Sequence, residues 1–155
     1  MEIHFSLCLP RDEESVPVVR HICRDALAEL GVEKGCVGDV ELAVTEACTN
    51  VLKHASGTGD QYEVSVAIAD DDCVIRVIDS GSGFDHATVD RETAVAGGAE
   101  SGRGVFLMAN LVDQLEFISK PAVGTVVHLE KKLTLTASSV LRKLHRAAAP
   151  GTALA

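Results

Sequence analysis

Three short groups of residues in this 155-residue chain have types and spacings that could do chemistry. Glu46, Asn50 and Lys53 stand at i, i+4 and i+7 of a helical pattern and so share one side of it. The amide oxygen of Asn50 is a hard ligand suited to Mg²⁺, an ion that usually completes its shell with waters and phosphate oxygens. Glu46, one turn earlier, could orient or deprotonate a nucleophile beside a terminal phosphate, and Lys53 could neutralise phosphate charge. Taken alone, the same three residues suit an ordinary solvated helix face better than a site.

The second group is Asp79-Ser80-Gly81-Ser82-Gly83-Phe84, which closes the apolar run Val74-Ile75-Arg76-Val77-Ile78. A carboxylate at that strand end can accept a hydrogen bond from the exocyclic amine of adenine. Gly81 and Gly83 permit positive φ and the close approach of a flat base. The third group is Ser101-Gly102-Arg103-Gly104, ahead of Val105-Phe106-Leu107-Met108. Glycines at a helix start expose backbone N–H groups to an anion, and the helix dipole adds to that attraction. A helix bearing a metal ligand, an acidic base pocket and a phosphate loop together read as an ATP site. No G-x-x-x-x-G-K-[ST] run is present, and no strand–GxGxxG–helix unit with an acid about twenty residues on, which excludes P-loop and Rossmann readings.

The elements that must position these groups follow from periodicity. Ile3, Phe5, Leu7 and Leu9 alternate with His4, Ser6 and Cys8, which predicts a half-buried strand ending at Pro10. Ser15 offers an N-cap, and Pro17 suits the first turn of a helix that Gly31 stops. Val19, Ile22, Cys23, Ala26, Leu27 and Leu30 form its apolar stripe. A second helix over 34–55 has the stripe Val37, Val40, Val44, Ala47, Val51 and Ala55. Tyr62, Val64, Val66 and Ile68 alternate as a strand, Asp70-Asp71-Asp72 turns, and residues 73–78 return. Residues 85–101 are polar, contain Gly97-Gly98 and are long for a structureless connection, which suggests a lid. A short helix over 105–111, a hairpin of 115–118 with 126–129 turning at 121–124, and a basic helix over 138–149 complete the chain, with a frayed end from Pro150. The sum is an α+β two-layer sandwich, a mainly antiparallel mixed sheet with helices on one face.

Composition narrows the function further. The net charge of −9 leaves no basic stripe to collect nucleic-acid phosphates. The charge is uneven, because residues 131–155 carry Lys131, Lys132, Arg142, Lys143 and Arg146 and no acid. That tail reads as solvated, with docking to an acidic partner or surface as the sharper alternative. No apolar run approaches the roughly 20 residues of a membrane span, and the N-terminus has no basic n-region. A cytoplasmic protein without membrane contact is expected. The five cysteines form no CxxC pair, so reduced thiols are expected, with Cys23 and Cys48 filling core. His54 reads as a structural histidine, and Thr125 starts the last strand.

Glu46-x-x-x-Asn50, Asp79-x-Gly81-x-Gly83 and Gly102-x-Gly104 resemble the N, G1 and G2 boxes of the GHKL ATPases, whose shared architecture is the Bergerat fold. Over residues 3–133 the chain is similar to the small anti-sigma factor serine/threonine kinases within that group. The cues are Glu46-Ala47-Cys48-Thr49-Asn50-Val51-Leu52-Lys53-His54-Ala55 and Gly104-Val105-Phe106-Leu107-Met108. The resemblance implies a kinase domain over 1–133 and a basic extension over 134–155, partly helical or disordered. It implies Glu46 as catalytic base, Asn50 as Mg²⁺ ligand, and Asp79 as the adenine-reading acid with Gly81 and Gly83 shaping its pocket. Gly102, Arg103 and Gly104, leading into Val105, would bind phosphate, and Thr125 would place a hydroxyl near the adenine. It implies ATP and Mg²⁺ as cofactors, with a sigma factor and a phosphorylatable anti-sigma-factor antagonist as partners, and a homodimer. Two functional readings stand: a kinase that also sequesters a sigma factor, and a nucleotide-gated regulator without phosphoryl transfer. The catalytic half of a sensor histidine kinase is not expected, since it needs a helical phospho-acceptor region for which these residues leave no length.

Overall fold

The computed structural model describes residues 1–54, 60–79, 101–120, 124–149 and 151. Five strands, β1 (Glu2–Pro10), β2 (Gln61–Ala69), β3 (Asp72–Asp79), β4 (Gln114–Lys120) and β5 (Gly124–Lys132), form one sheet in the order β1-β2-β3-β5-β4. Among the described residues every pairing is antiparallel. The helices are α1 (Ser15–Glu29), α2 (Lys34–His54), α3 (Ser101–Leu111) and α4 (Val140–Ala148). The expected α+β sandwich is the observed one.

Side-chain alternation divides the sheet into two faces. Tyr62, Val64, Val66 and Ile68 of β2 are buried, as are Cys73, Ile75 and Val77 of β3 and Val127 and Leu129 of β5. The register puts Ile3, Phe5, Leu7 and Leu9 of β1 opposite that β2 set, on the same face. They are only half-buried because β1 is the sheet's edge. The helices cover this inner face. Val37, Val40, Val44, Ala47 and Val51 of α2 lie on it, with Val19, Cys23 and Leu27 of α1 beside them toward β1. Ile22, expected on the α1 stripe, instead points outward and is exposed.

Local chemistry moves two expected boundaries. Ser15 is the first residue of α1 rather than its cap, and Glu14 holds the cap position without a side-chain bond. The Ser15 hydroxyl donates to the Asp12 carbonyl at 2.6 Å, so the Tyr62 hydroxyl donates to Ser15 Oγ, also at 2.6 Å. That pair ties the start of α1 to β2. α3 begins at Ser101, so Gly102-Arg103-Gly104 forms its first turn instead of preceding it. Glycine's low helix propensity hides such a start from sequence, while packing of Val105 and Met108 into the core enforces it.

After β5 the chain folds back on the α1–α2 corner. The Thr136 N–H donates to the Gly31 carbonyl, Val32 bridges Leu135, and Ser139 Oγ–H donates to the Leu30 carbonyl at 2.7 Å. Ser139 is fully buried and Leu141 nearly so, which anchors α4 at its N-terminal end. Arg142, Lys143, His145 and Arg146 face solvent. Gly31 has φ +81, and a Cβ there would stand 2.6 Å from the Ser139 Cα, so this corner closes only over glycine. Residues 85–100 of the expected lid, Ala55, the tip of the 121–124 turn and the chain end after 151 lie outside the described residues.

Candidate nucleotide site

The site is assembled from one flank of α2, the first turn of α3 and the ends of β3 and β5. On α2, Glu46 and Asn50 make one i, i+4 stripe and Thr49 and Lys53 the adjacent one, on the side away from the buried valines. Glu46 and Asn50 are half-buried, and Lys53 is exposed. A Cβ built on Gly104 would lie 2.9 Å from Glu46 Oε2. The carboxylate of Glu46 therefore lies against the first turn of α3, where backbone N–H groups without intrahelical partners stand. The packing that fixes this contact is apolar: Ala47, Cys48 and Val51 on α2, and Val105 and Met108 on α3, are all nearly inaccessible.

Asp79 is the last residue of β3, on the inner face, and only 1% exposed. The register flanks it with Tyr62 of β2 and Thr125 of β5, which is 4% exposed. The sequence-expected pair Asp79 and Thr125 is thus brought side by side. Arg11 Nη1 lies 3.4 Å from Asp79 Oδ2 and supplies a countercharge to this buried carboxylate. Arg11 sits in the turn between β1 and α1, where its own N–H donates to the Asp60 carbonyl at 3.0 Å. It also lines a cleft of about 640 Å³ with Glu13, Arg20, Thr49, Leu52 and Lys53. That cleft runs between Arg11 and the Thr49–Lys53 stripe of α2.

Burial sets the proton chemistry below the site. The Tyr62 hydroxyl is pushed up to about 12, chiefly by desolvation. Desolvation likewise raises the Cys48 thiol to about 12 and Cys23 to about 11. All three stay neutral at physiological pH, so the floor of the site carries no charge from them. Cys23, Cys36, Cys48 and Cys73 are buried free thiols, as core filling requires, and Cys8 is exposed.

Arg11 was not legible as a site residue. It belongs to the charged run Arg11-Asp12-Glu13-Glu14, which reads as surface, and a pairing across 68 positions has no spacing signature. Gly81 and Gly83 lie outside the described residues, as do the side chains of His54 and Arg103. Val105 directs its side chain into the core, leaving its backbone as the part available to an anion. Among the described residues no group of three or more His, Cys, Asp or Glu is placed to hold a metal ion. The donor set at Asn50 fits a hard ion that takes one or two protein ligands, as Mg²⁺ does. The close approach of Gly104 to Glu46 is a cradle that any side chain would fill.

These features are those of an ATP-binding module, and the chain belongs to the histidine kinase-like ATPase domain family, which its residues 9–131 match. Within that family it groups with the GHKL anti-sigma kinases. It is 31% identical to the serine-protein kinase RsbW of Halalkalibacterium halodurans over 144 residues, covering 86% of this chain and 88% of that protein. It is 32% identical to the anti-sigma F factor of Pasteuria penetrans, covering 86% and 90%. In fold it is similar to a crystal structure of the RsbU and RsbW domains of a Mycobacterium tuberculosis protein, with a TM-score of 0.66 at 23% identity, covering 89% of this chain and 34% of that one. Among the described residues no helix is long and apolar enough to cross a membrane.

Proposed function

We propose that this protein is an anti-sigma factor that uses ATP to phosphorylate a serine or threonine of an antagonist protein, and that it sequesters a sigma factor. Family membership and the names of the relatives support the assignment. The observation that carries it is the Glu46 carboxylate lying against the glycine turn of α3, one helical turn before Asn50. In this reading Asn50 would hold Mg²⁺, which would supply positive charge beside the phosphates. The first turn of α3, from Gly102 through Arg103 and Gly104 to the backbone of Val105, binds phosphate, and Lys53 adds positive charge. Asp79 accepts from the adenine amine, with Thr125 beside it and Gly81 and Gly83 flanking the base. Glu46 takes the proton from the attacking hydroxyl as its oxygen bonds to the terminal phosphorus and the bond to the bridging oxygen of ADP breaks. A homodimer in a cytoplasmic setting completes the proposal.

Glu46→Gln tests it, because the substitution keeps size and hydrogen bonding and removes the charge. The variant is expected to bind ATP and the sigma factor while transferring radiolabelled phosphate at least about a hundredfold more slowly, since removing a general base costs 10²–10⁴ in rate. Wild type that transfers no label to a cognate antagonist would falsify the kinase and leave a nucleotide-gated regulator. Full activity in Glu46→Gln would keep the kinase and remove Glu46 as its base.

A further inference from the structure

We infer that Arg11 is the positioning residue that keeps Asp79 an obligate hydrogen-bond acceptor, and that it thereby sets selectivity for adenine over guanine. The inference rests on the reading of Asp79 as the base-recognising acid.

Three observations carry it. Asp79 is 1% exposed, and a carboxylate that dry tends to take up a proton unless a cation stands beside it. Arg11 is that cation: its guanidinium is 3.4 Å from Oδ2, and its side chain is itself only 13% exposed. The main chain of Arg11 is fixed by its N–H bond to the Asp60 carbonyl, and its side chain lines the cleft with Thr49 and Lys53. It reaches Asp79 from the β1–α1 side, whereas Thr125 flanks Asp79 from β5. The nucleotide can thus meet Asp79 without displacing Arg11.

The chemistry of the two bases makes the ionisation state matter. Adenine presents an exocyclic amine, a donor that needs an acceptor. Guanine presents a carbonyl at the same place, which an ionised carboxylate repels but a protonated carboxyl group would satisfy by donating to it. Loss of Arg11 therefore relaxes selectivity instead of merely weakening binding. Among the described residues, the titratable groups of the elements around Asp79 are Arg11 itself, Tyr62 on β2, and Cys48, Glu46 and Lys53 on α2. β5 contributes the hydroxyl of Thr125. Tyr62 and Cys48 titrate at about 12 and stay neutral through the range in which nucleotide binding is measured. Glu46 and Lys53 are common to wild type and to every Arg11 variant, so a difference among these proteins isolates Asp79.

The test is titration of the full chain with ATP and with GTP, each with Mg²⁺, between pH 6 and 8.5. Wild type is expected to prefer ATP by about ten- to a hundredfold, the worth of one buried unpaired polar group. In Arg11→Met the preference should shrink at least about fivefold at pH 6 and recover as pH rises and the Asp79 carboxyl ionises. Arg11→Lys should restore the wild-type ratio. Should Arg11→Met fail to fold, Arg11→Gln gives the same readout with an uncharged side chain that can still hydrogen-bond. An ATP:GTP ratio in the neutral variants that equals wild type at every pH overturns the proposal. So does an equal loss of both affinities that Lys does not repair, which marks Arg11 as a structural tie alone. Failure of the underlying reading looks different: Asp79→Asn would then leave the ATP:GTP ratio of the wild type unchanged. In an Asp79→Asn background Arg11→Met should have no further effect on the ratio, because the carboxyl group on which Arg11 acts is gone.

Discussion

The two faces of the sheet bury polar groups by different means. On the outer face, Arg76 Nε–H donates to His128 Nδ1 at 3.1 Å, so the ring carries its proton on Nε2, which donates to Glu130 Oε1 at 2.8 Å. Arg76 and His128 are direct cross-strand partners, and Glu130 is two residues along β5. The cluster is supplied entirely by two neighbouring strands. On the inner face, three rows along the same strand pair, Asp79 and Thr125 are also cross-strand partners. Their cation comes from a turn outside the sheet, beside an open cleft. A polar group that the sheet satisfies by itself stabilises the sheet. One that depends on a separate turn, next to unfilled space, is placed for a ligand.

The largest expected consequence of this division concerns alkaline pH, because the inner side is dry. Burial raises Cys23 to about 11 and Cys48 and Cys73 to about 12, from 9.0. Tyr62 rises to about 12 from 10.0. A raised folded-state pKa means that the unfolded chain releases its proton first. The stability these groups contribute is complete below pH 9 and is lost as pH climbs from 9 toward 11 or 12. Each thiol costs at most about 1.4 kcal/mol per pH unit in that window, enough together to bring a domain of ordinary stability close to unfolding. Urea titrations at pH 8, 9.5 and 11 should show a falling midpoint, and iodoacetamide at pH 8 should modify Cys8 alone. Rapid labelling of Cys48 or Cys73 in the folded protein would mean that the inner side is wet.

Substitution on each face should separate the two clusters more directly. Asp79→Ala is expected to lower ATP affinity at least about tenfold, since a buried partner of the base is lost. His128→Ala should leave ATP affinity within about twofold. It removes two hydrogen bonds whose other partners, Arg76 and Glu130, can turn to water, so its cost to stability should be about 1 kcal/mol. Calorimetric titration and thermal melts on both variants decide this. Weaker ATP binding in His128→Ala would show that the outer cluster sets the site through β5, and the contrast between the faces would fail.

What the sequence disclosed follows the same division. Period-two runs revealed β1, β2 and β3 because their apolar residues all face one way, and the stripes of α1 and α2 were visible for the same reason. Glu46, Asn50, Asp79 and Gly104 stood out through spacing, since a helix turn or a strand end converts spacing into proximity. Arg11 did not, because its partner is brought to it by sheet pairing and not by local geometry. The start of α3 was hidden by Gly102 and Gly104, whose weak propensity is overruled by Val105 and Met108 in the core. The anchoring of α4 was hidden too. The basic residues of 131–155 dominate that segment, whereas Ser139 and Leu141 hold it to the α1–α2 corner.

The smallest expected effect is the sharpest test of how the inner site is built, and it falls on a glycine. Among the described residues Gly31 and Gly104 each meet a neighbour closely, and the neighbours differ. At Gly31 the obstacle is the backbone of Ser139 at 2.6 Å, with φ +81, so alanine there should destabilise the whole corner. At Gly104 the nearest atom is Glu46 Oε2 at 2.9 Å, the far end of a flexible side chain, and the backbone is helical. Gly104→Ala therefore relieves its clash by swinging the carboxylate a few tenths of an ångström. It also gains up to about 1 kcal/mol of helix propensity, somewhat less in a first turn. Melting temperature should stay level or rise. Phosphoryl transfer should nonetheless fall by about tenfold, because catalysis is more sensitive than folding to a displaced base. In a Glu46→Gln background the same substitution should change transfer little, since the group it displaces no longer acts as a base. Stability raised with transfer unaltered would show that Glu46 does its work from some other position, and that its contact with α3 is packing.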